Sequence, residues 1–213
     1  MPSCFPARSI LLVLLGLGLS ASVSAQKLVK KTVVDPENEA ITIQADRCFQ
    51  VEISNSNTDE LVVEAEMEGE YASNLLVNLE EKGKTIFIST SFTPNFDHPN
   101  DKLSAHKVIA IALQIKIPKY KQVNVFGTGT RVLVTGLYRN LGVVLADGEC
   151  ILDNVGETVD VKTQNGNIRV VSGSGICEAS SDYGQVLGSL DTKGSAMFNL
   201  HSKEGNIYLN KTK

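Results

Sequence analysis

The second half of the chain repeats itself every 18 residues, and this register limits how the chain can fold. Aligned at that spacing, apolar residues fall into pairs of columns two residues apart, as in β-strands with one buried face. The first pair of columns is Val123, Leu141, Val159, Cys177 and Ser195 beside Val125, Val143, Val161, Ala179 and Met197. The second pair is Val132, Cys150, Ile168 and Val186 beside Val134, Leu152, Val170 and Gly188. Each repeat therefore holds two short strands.

A turn separates the two strands of each repeat. Its column contains Thr130, Gly148, Gly166 and Gly184, preceded by Asp147, Asn165 and Tyr183. Asp-Gly and Asn-Gly pairs supply the positive φ that a tight reversal requires. The final repeat has three extra residues, after which Glu204-Gly205 forms the turn and Ile207 and Leu209 continue the second strand.

This repeat length favours a coil. Eighteen residues have a contour of about 60 Å, which is too short for a strand with a crossover helix. We predict an all-β protein in which residues 123–213 form a parallel β-solenoid with about 18 residues per coil and coils stacked about 4.8 Å apart. A row of antiparallel hairpins is the alternative, because Asn165-Gly166 also suits a hairpin turn. If the coils stack in the order of the sequence, the last coil has an exposed edge at Ile207, Tyr208 and Leu209.

The preceding segment is less regular. Residues 26–122 contain several alternating apolar runs and no amphipathic helix, and they predict an irregular or antiparallel β region that caps the first coil. We expect residues 26–213 to form one continuous domain.

The first 25 residues have the layout of a secretory signal peptide: Arg8, an apolar run from Ile10 to Leu19, and Val23-Ser24-Ala25. The run is about half the length of a bilayer span, so no transmembrane segment is predicted in the mature chain. Export to the periplasm or cell surface is expected. Without the leader, 19 basic residues face 24 acidic ones, a balance that argues against nucleic acid as a partner.

Three cysteines, Cys48, Cys150 and Cys177, follow the leader. Cys150 and Cys177 are one and a half repeats apart, which places them on facing sheets about 10 Å apart, beyond the reach of a disulfide. We predict that both fill the core. Whether Cys48 is free stays open.

The loop at residues 91–106 contains the one local cluster of metal-capable side chains, Asp97, His98, Asp101 and His106. These types suit zinc or another divalent ion, but a solvated polar loop is the simpler interpretation. We therefore predict no metal, no cofactor and no catalytic residue.

An enzyme is the main rival interpretation, because parallel solenoids often process polysaccharides with paired carboxylates. The available carboxylates are Asp147, Glu149, Asp160, Glu178 and Asp182. The register stacks Asp160 and Glu178 as adjacent like charges, and the chain has no Trp to stack on sugars. No familiar catalytic motif is present. We predict that the protein is not an enzyme.

Four stretches, 46–53, 59–65, 115–118 and 161–168, carry a resemblance. They are similar to the bacterial exported putative-adhesin family of unknown function, which includes head GIN domain relatives. The resemblance implies a β-helix-like fold, an envelope location and no catalytic residues. The predicted function is a noncatalytic envelope or cell-surface protein that binds or scaffolds a protein or glycan. A carbohydrate-active enzyme and a structural or stress-linked envelope accessory remain the alternatives, and the sequence does not define the oligomeric state.

Overall fold

The structure is a computed structural model that describes residues 26–34, 37–96 and 109–211. Fifteen strands and a 3₁₀ turn at Ala72–Asn74 form the regular structure of these ranges, which contain no α-helix and hence no helical membrane span. The strands are β1 (Lys27–Val34), β2 (Ala40–Gln44), β3 (Gln50–Asn55), β4 (Glu60–Glu68), β5 (Leu75–Lys82), β6 (Thr85–Phe92), β7 (Ala110–Ile117), β8 (Gln122–Gly127), β9 (Arg131–Leu145), β10 (Cys150–Thr163), β11 (Ile168–Ser172), β12 (Ile176–Ser181), β13 (Val186–Gly188), β14 (Met197–Ser202) and β15 (Ile207–Lys211). The predicted leader lies outside the described residues.

All fifteen strands belong to one mixed sheet that curves around a single apolar core and nearly closes on itself. Antiparallel pairing joins β1 to β4, β4 to β7 and β5 to β6. The other strand pairs are parallel. The all-β prediction is confirmed. The antiparallel pairs all lie before residue 118, in the region predicted to be irregular or antiparallel, but parallel pairing also joins β2 to β6 and β3 to β7 there.

The parallel strands in the middle of the sheet pair at an offset of 18 residues. Val123 lies beside Leu141, Leu141 beside Val159, and Cys150 beside Ile168. Buried and outward side chains alternate along most of β9 and β10, as in strands with one covered face, and the 18-residue pairing places equivalent residues on the same face. The hairpin alternative is wrong here, since the strand end before the Asn165-Gly166 turn pairs with β9 and β14, and β11 pairs in parallel with the beginning of β10.

The last repeat does not stack in chain order. Strand β14 inserts between β10 and β12, and β15 inserts between β11 and β13. Val159 therefore pairs with Phe198, and Phe198 with Cys177. The prediction that Cys177 follows Val159 directly, with Ser195 beyond it, is wrong. The predicted outer edge at Ile207 to Leu209 is wrong for the same reason.

Side-chain size explains the inserted order. At equivalent core positions the inserted strand β14 has Phe198 and Leu200, whereas the outer strand β12 has Cys177 and Ala179. Phe198 and Leu200 are buried, and the two smaller residues are only partly covered. Placing the larger apolar side chains between two covering strands buries more apolar area, which favours this order.

Glycine occupies the turn positions because a carbonyl oxygen of a neighbouring turn lies where a Cβ atom would be. A Cβ on Gly166 would lie 1.9 Å from the Gly148 carbonyl oxygen, and one on Gly205 would lie 2.1 Å from the Gly166 carbonyl oxygen. Of the turn glycines only Gly148 has positive φ. The prediction that these turns need positive φ is therefore wrong for the other turn glycines, including Gly184. At those positions glycine is required because one turn stacks on the next and leaves no room for a side chain.

Candidate functional site

A groove of about 570 Å³ crosses the outer face of the sheet at the ends of the parallel strands. We call it the axial groove, because it runs across the strands from one coil position to the next. Its outward side chains are Asp46, Phe126, Val144, Ala146, Lys162, Gln164 and Lys203. With strands about 4.8 Å apart, the five positions from Asp46 to Lys203 give a length of about 19 Å.

One wall of the axial groove is a row of aligned outward residues. Phe126 pairs with Val144, and Val144 pairs with Lys162. The side chains of such in-register neighbours lie side by side, so Phe126 and Val144 form an apolar shelf that ends at a lysine. Phe126 is 38% exposed and Val144 is 43% exposed. These fractions are high for large apolar residues within strands, and they leave the shelf available for contact.

The residues of the opposite wall directly follow the ends of β9, β10 and β14. They are Ala146, Gln164 and Lys203, and the turns that carry them are joined by backbone hydrogen bonds. The Asn165 N–H donates to the Ala146 carbonyl at 2.8 Å, and the Glu204 N–H donates to the Gln164 carbonyl at 2.8 Å. Both walls are therefore held by continuous backbone pairing rather than by a mobile loop.

The charges of the axial groove lie at its two ends. Asp46 accepts a hydrogen bond from the Thr128 hydroxyl at 3.3 Å at one end. Lys162 and Lys203 lie toward the other end, where Lys162 also forms an ion pair of 3.6 Å with Asp160. The groove thus offers a carboxylate at one end, an apolar shelf and an amide, and two ammonium groups toward the other end, which suits an extended ligand with a negative group at the lysine end.

The carboxylates considered for catalysis are placed differently from the prediction. Asp160 and Glu178 are not adjacent, because Asn199 of the inserted strand lies between them. The Asn199 amide donates to Asp160 Oδ2 at 2.9 Å. The predicted stack of like charges is therefore wrong, and the inserted amide removes the repulsion.

Each of the remaining three carboxylates lies close to a basic or amide side chain. Glu149 lies 3.3 Å from Arg131 and 3.6 Å from Arg169. Asp147 accepts a hydrogen bond of 2.5 Å from the Asn165 amide, and Asp182 lies 3.9 Å from His201 Nε2. Of the five, none lines the axial groove.

The three described cysteines are free thiols. Burial raises the pKa of Cys48 to about 12, with a smaller contribution from the negative charge of Asp46. Burial likewise raises the pKa of Cys150 to about 12, and Glu149 adds to the effect. Cys177 is only partly buried, and its raised pKa reflects that partial burial. The prediction of a core position therefore describes Cys150 but not the outer-coil Cys177.

These pKa values predict selective alkylation. Only the thiolate reacts, and a pKa near 12 leaves about 1 thiol in 10,000 ionised at pH 8. Iodoacetamide at pH 8 should therefore modify Cys177 first and leave Cys48 and Cys150 unmodified, as measured by peptide mass spectrometry. The same reaction in denaturant is the control and should modify all three. Equal modification in the native protein would contradict the burial described above.

The four metal candidates, Asp97, His98, Asp101 and His106, lie outside the described residues. Among the residues that the structure does describe, no group of three or more His, Cys, Asp or Glu side chains is positioned to hold a metal ion.

The axial groove was not predicted from the sequence, although a signal for it exists. Phe126, Val144 and Lys162 recur at the 18-residue spacing, one position after the buried column that contains Val125, Val143 and Val161. Examining the outward columns for apolar residues would have indicated the shelf.

Comparison with known proteins identifies the fold but gives no family. No family model and no curated protein sequence matches the chain. The chain is similar to the structure of a putative cell adhesion protein from Clostridium sporogenes, with a TM-score of 0.64, 16% identity, and coverage of 88% of this chain and 100% of that one. A putative adhesin from Bacteroides fragilis matches with a TM-score of 0.37 and 15% identity over 87% of this chain and 97% of its own. The first likeness shows a shared fold.

Proposed function

We propose that the protein is a noncatalytic binding module that is exported to the bacterial envelope or cell surface. The axial groove is the observation that carries this proposal, because it presents an exposed apolar shelf and two lysines on firmly paired strands. The signal-like first 25 residues support export. The fold shared with a protein described as a putative cell adhesion protein supports an adhesin-like role.

The same proposal includes the architecture behind the groove. Residues 123–213 wind as a β-solenoid, residues 26–122 cover its first coil, and residues 1–25 are removed. The parallel pairing of β8, β9, β10 and β11 at the 18-residue offset supports this winding. A solenoid presents equivalent side chains at equal intervals, which suits recognition of an extended ligand.

The ligand that best fits the axial groove is an acidic oligosaccharide. An aromatic and an aliphatic side chain offer a flat apolar surface to the ligand, and lysines bind its carboxylate or sulfate groups as point charges. Phe126 and Val144 supply the first contact, and Lys162 and Lys203 supply the second. The length of about 19 Å accommodates several sugar units.

A glycan array with the intact protein tests the proposal. Lys162→Glu should weaken binding to uronate-containing or sulfated oligosaccharides at least tenfold, because it places a negative charge beside the ligand. Lys30→Glu is the matched control, since the Lys30 side chain is 62% exposed against 60% for Lys162 and also has a carboxylate partner. That control should bind as the parent does.

Three results would contradict this proposal. Equal binding by the Lys162→Glu variant would exclude the axial groove as the glycan site. Turnover of any polysaccharide in a panel would make the protein a carbohydrate-active enzyme instead. Failure to bind any glycan or envelope protein would favour the structural accessory role.

A further inference from the structure

The outer coil, formed by β12 and β13, is an open end of the sheet. Strand β12 pairs only with β14, and β13 pairs only with β15, within the described residues. Exposed large apolar side chains gather here: Ile176, Val186 and Leu187 are each more than 40% exposed. Strands with one unpaired edge and apolar side chains are sites where a further strand can add.

The hydrogen-bond pattern of β12 leaves one side of its backbone available to an added strand. The Ile176 N–H donates to the Ala196 carbonyl at 2.8 Å, and the Asp182 N–H donates to the Ser202 carbonyl at 3.1 Å. In a parallel ladder alternate residues bond to the same neighbour. The intervening residues, including Cys177 and Ala179, therefore direct their N–H and C=O groups to the open side.

In the inner coils, an asparagine side chain at one corner accepts a backbone N–H from the next coil. The outer coil has a similar side-chain acceptor at that corner. At this corner, Asn167 Oδ1 accepts the Asn206 N–H at 2.8 Å, and Asn206 Oδ1 accepts the Gln185 N–H at 2.9 Å. Gln185 occupies the same place in the outer coil, where no further coil follows in the described ranges. Its amide oxygen can accept the N–H of an added strand in the same way.

Charge identifies the kind of strand that fits. At the opposite end of the sheet, the edge strand β1 carries Lys27, Lys30 and Lys31, a common protection against unwanted pairing. Strand β12 has no lysine, and its charged side chain is Glu178, with Asp182 directly after the strand. No described cation forms an ion pair with Glu178. A second copy of this chain would bring the same two carboxylates to the edge, whereas a basic segment would neutralise them.

A cavity beside the edge fits a lysine or arginine side chain. It has a volume of about 300 Å³, with Ile176 and Met197 as its exposed apolar lining and Asp160 and Glu178 among its polar groups. Long basic side chains bury their aliphatic stems against apolar surface and leave the charged head near an acceptor. This cavity provides both parts.

We propose that the open edge of β12 and β13 binds an extended, basic segment of another protein by strand addition. The added strand continues the ladder through its backbone and places a lysine or arginine in the cavity between Ile176 and Glu178. This site is distinct from the axial groove, so the inference does not depend on the glycan proposal.

Two synthetic peptides of about eight residues, the length of an ordinary strand, test this proposal with the intact protein. One alternates Lys with Val and the other alternates Glu with Val. Fluorescence anisotropy should show at least tenfold tighter binding of the Lys peptide, decreasing with salt. Hydrogen exchange should slow at Cys177 and Ala179 when that peptide binds.

Substitutions then locate the binding. Glu178→Lys should weaken binding of the Lys peptide at least tenfold, whereas Glu80→Lys, on the edge strand β5 at the other end, should leave it unchanged. Ala179→Pro removes an N–H that faces the open side and should also abolish binding. If the proline variant fails to fold by circular dichroism, the Glu178→Lys result decides.

Several outcomes would overturn the inference. Equal affinity for both peptides, or undiminished binding by Glu178→Lys, would exclude recognition of a basic strand. Exchange protection confined to β1 or β5 would place the binding at the other end. Concentration-dependent dimerisation through this edge without peptide binding would assign it to a second copy of the chain.

Discussion

A chain carrying Val161→Asp is expected to lose its cooperative thermal transition. Val161 is fully buried in β10, between Val143 of β9 and Leu200 of β14. An unpaired carboxylate at this position would have no partner in an apolar core, and such substitutions cost about 4 kcal/mol or more. That loss approaches the total stability of about 5–15 kcal/mol that is usual for a domain. Circular dichroism during heating measures the effect.

Lys162→Asp is the control for this experiment. Lys162 is the next residue of the same strand, and its side chain points outward. The same acidic group placed there should change the melting temperature by only a few degrees. Similar melting of the parent and the Val161→Asp variant would show that Val161 does not face the core.

Phe198→Ala is expected to destabilise the protein by about 3–5 kcal/mol, the usual cost of truncating a buried aromatic side chain. Phe198 is buried between Val159 and Cys177 because its strand lies between β10 and β12. Urea unfolding of the parent and variant measures the difference.

Cys177→Ala is the companion variant, because it truncates a residue in the same column. Cys177 belongs to the half-covered outer strand, so its truncation should cost less than about 1 kcal/mol. If the strands stacked in chain order, β12 with Cys177 would lie inside and β14 with Phe198 at the end. A larger loss for Cys177→Ala than for Phe198→Ala would therefore contradict the inserted order.

The local pattern of the repeats could be read from the sequence. Alternation identifies the buried residues, and the 18-residue spacing matches the pairing of Val125 with Val143 and of Val143 with Val161. Both follow from short-range physics, since side chains of a strand alternate and equivalent residues of parallel neighbours share a face.

The spatial order of the repeats could not be read from the spacing, because a period states which residues are equivalent and not which repeat lies beside which. Residue size carried the missing information. Phe198 and Leu200 are too large and apolar for an open end, whereas Cys177 and Ala179 leave little apolar area uncovered there.

The part before residue 123 was predicted as an irregular or antiparallel β region, but the partners of its strands were not predicted. Strand β3 pairs in parallel with both β7 and β9, although no repeat links their sequences. Pairing across 60 or more residues depends on the packing of the whole core. The axial groove was not predicted for a different reason, because its residues point outward, whereas the apolar columns indicate only the residues of the core.

The inserted order of the last repeat has a consequence for biogenesis. Residues 176–188 are synthesised before residues 197–211, at a time when the free sides of β10 and β11 have no neighbour. Their 18-residue spacing from those strands allows them to dock there first. If they do so, the native order is reached only when residues 197–211 insert between them and the strands β10 and β11. We expect folding to include a slow strand-exchange step, during which the chain must remain unaggregated until residues 197–211 are in place.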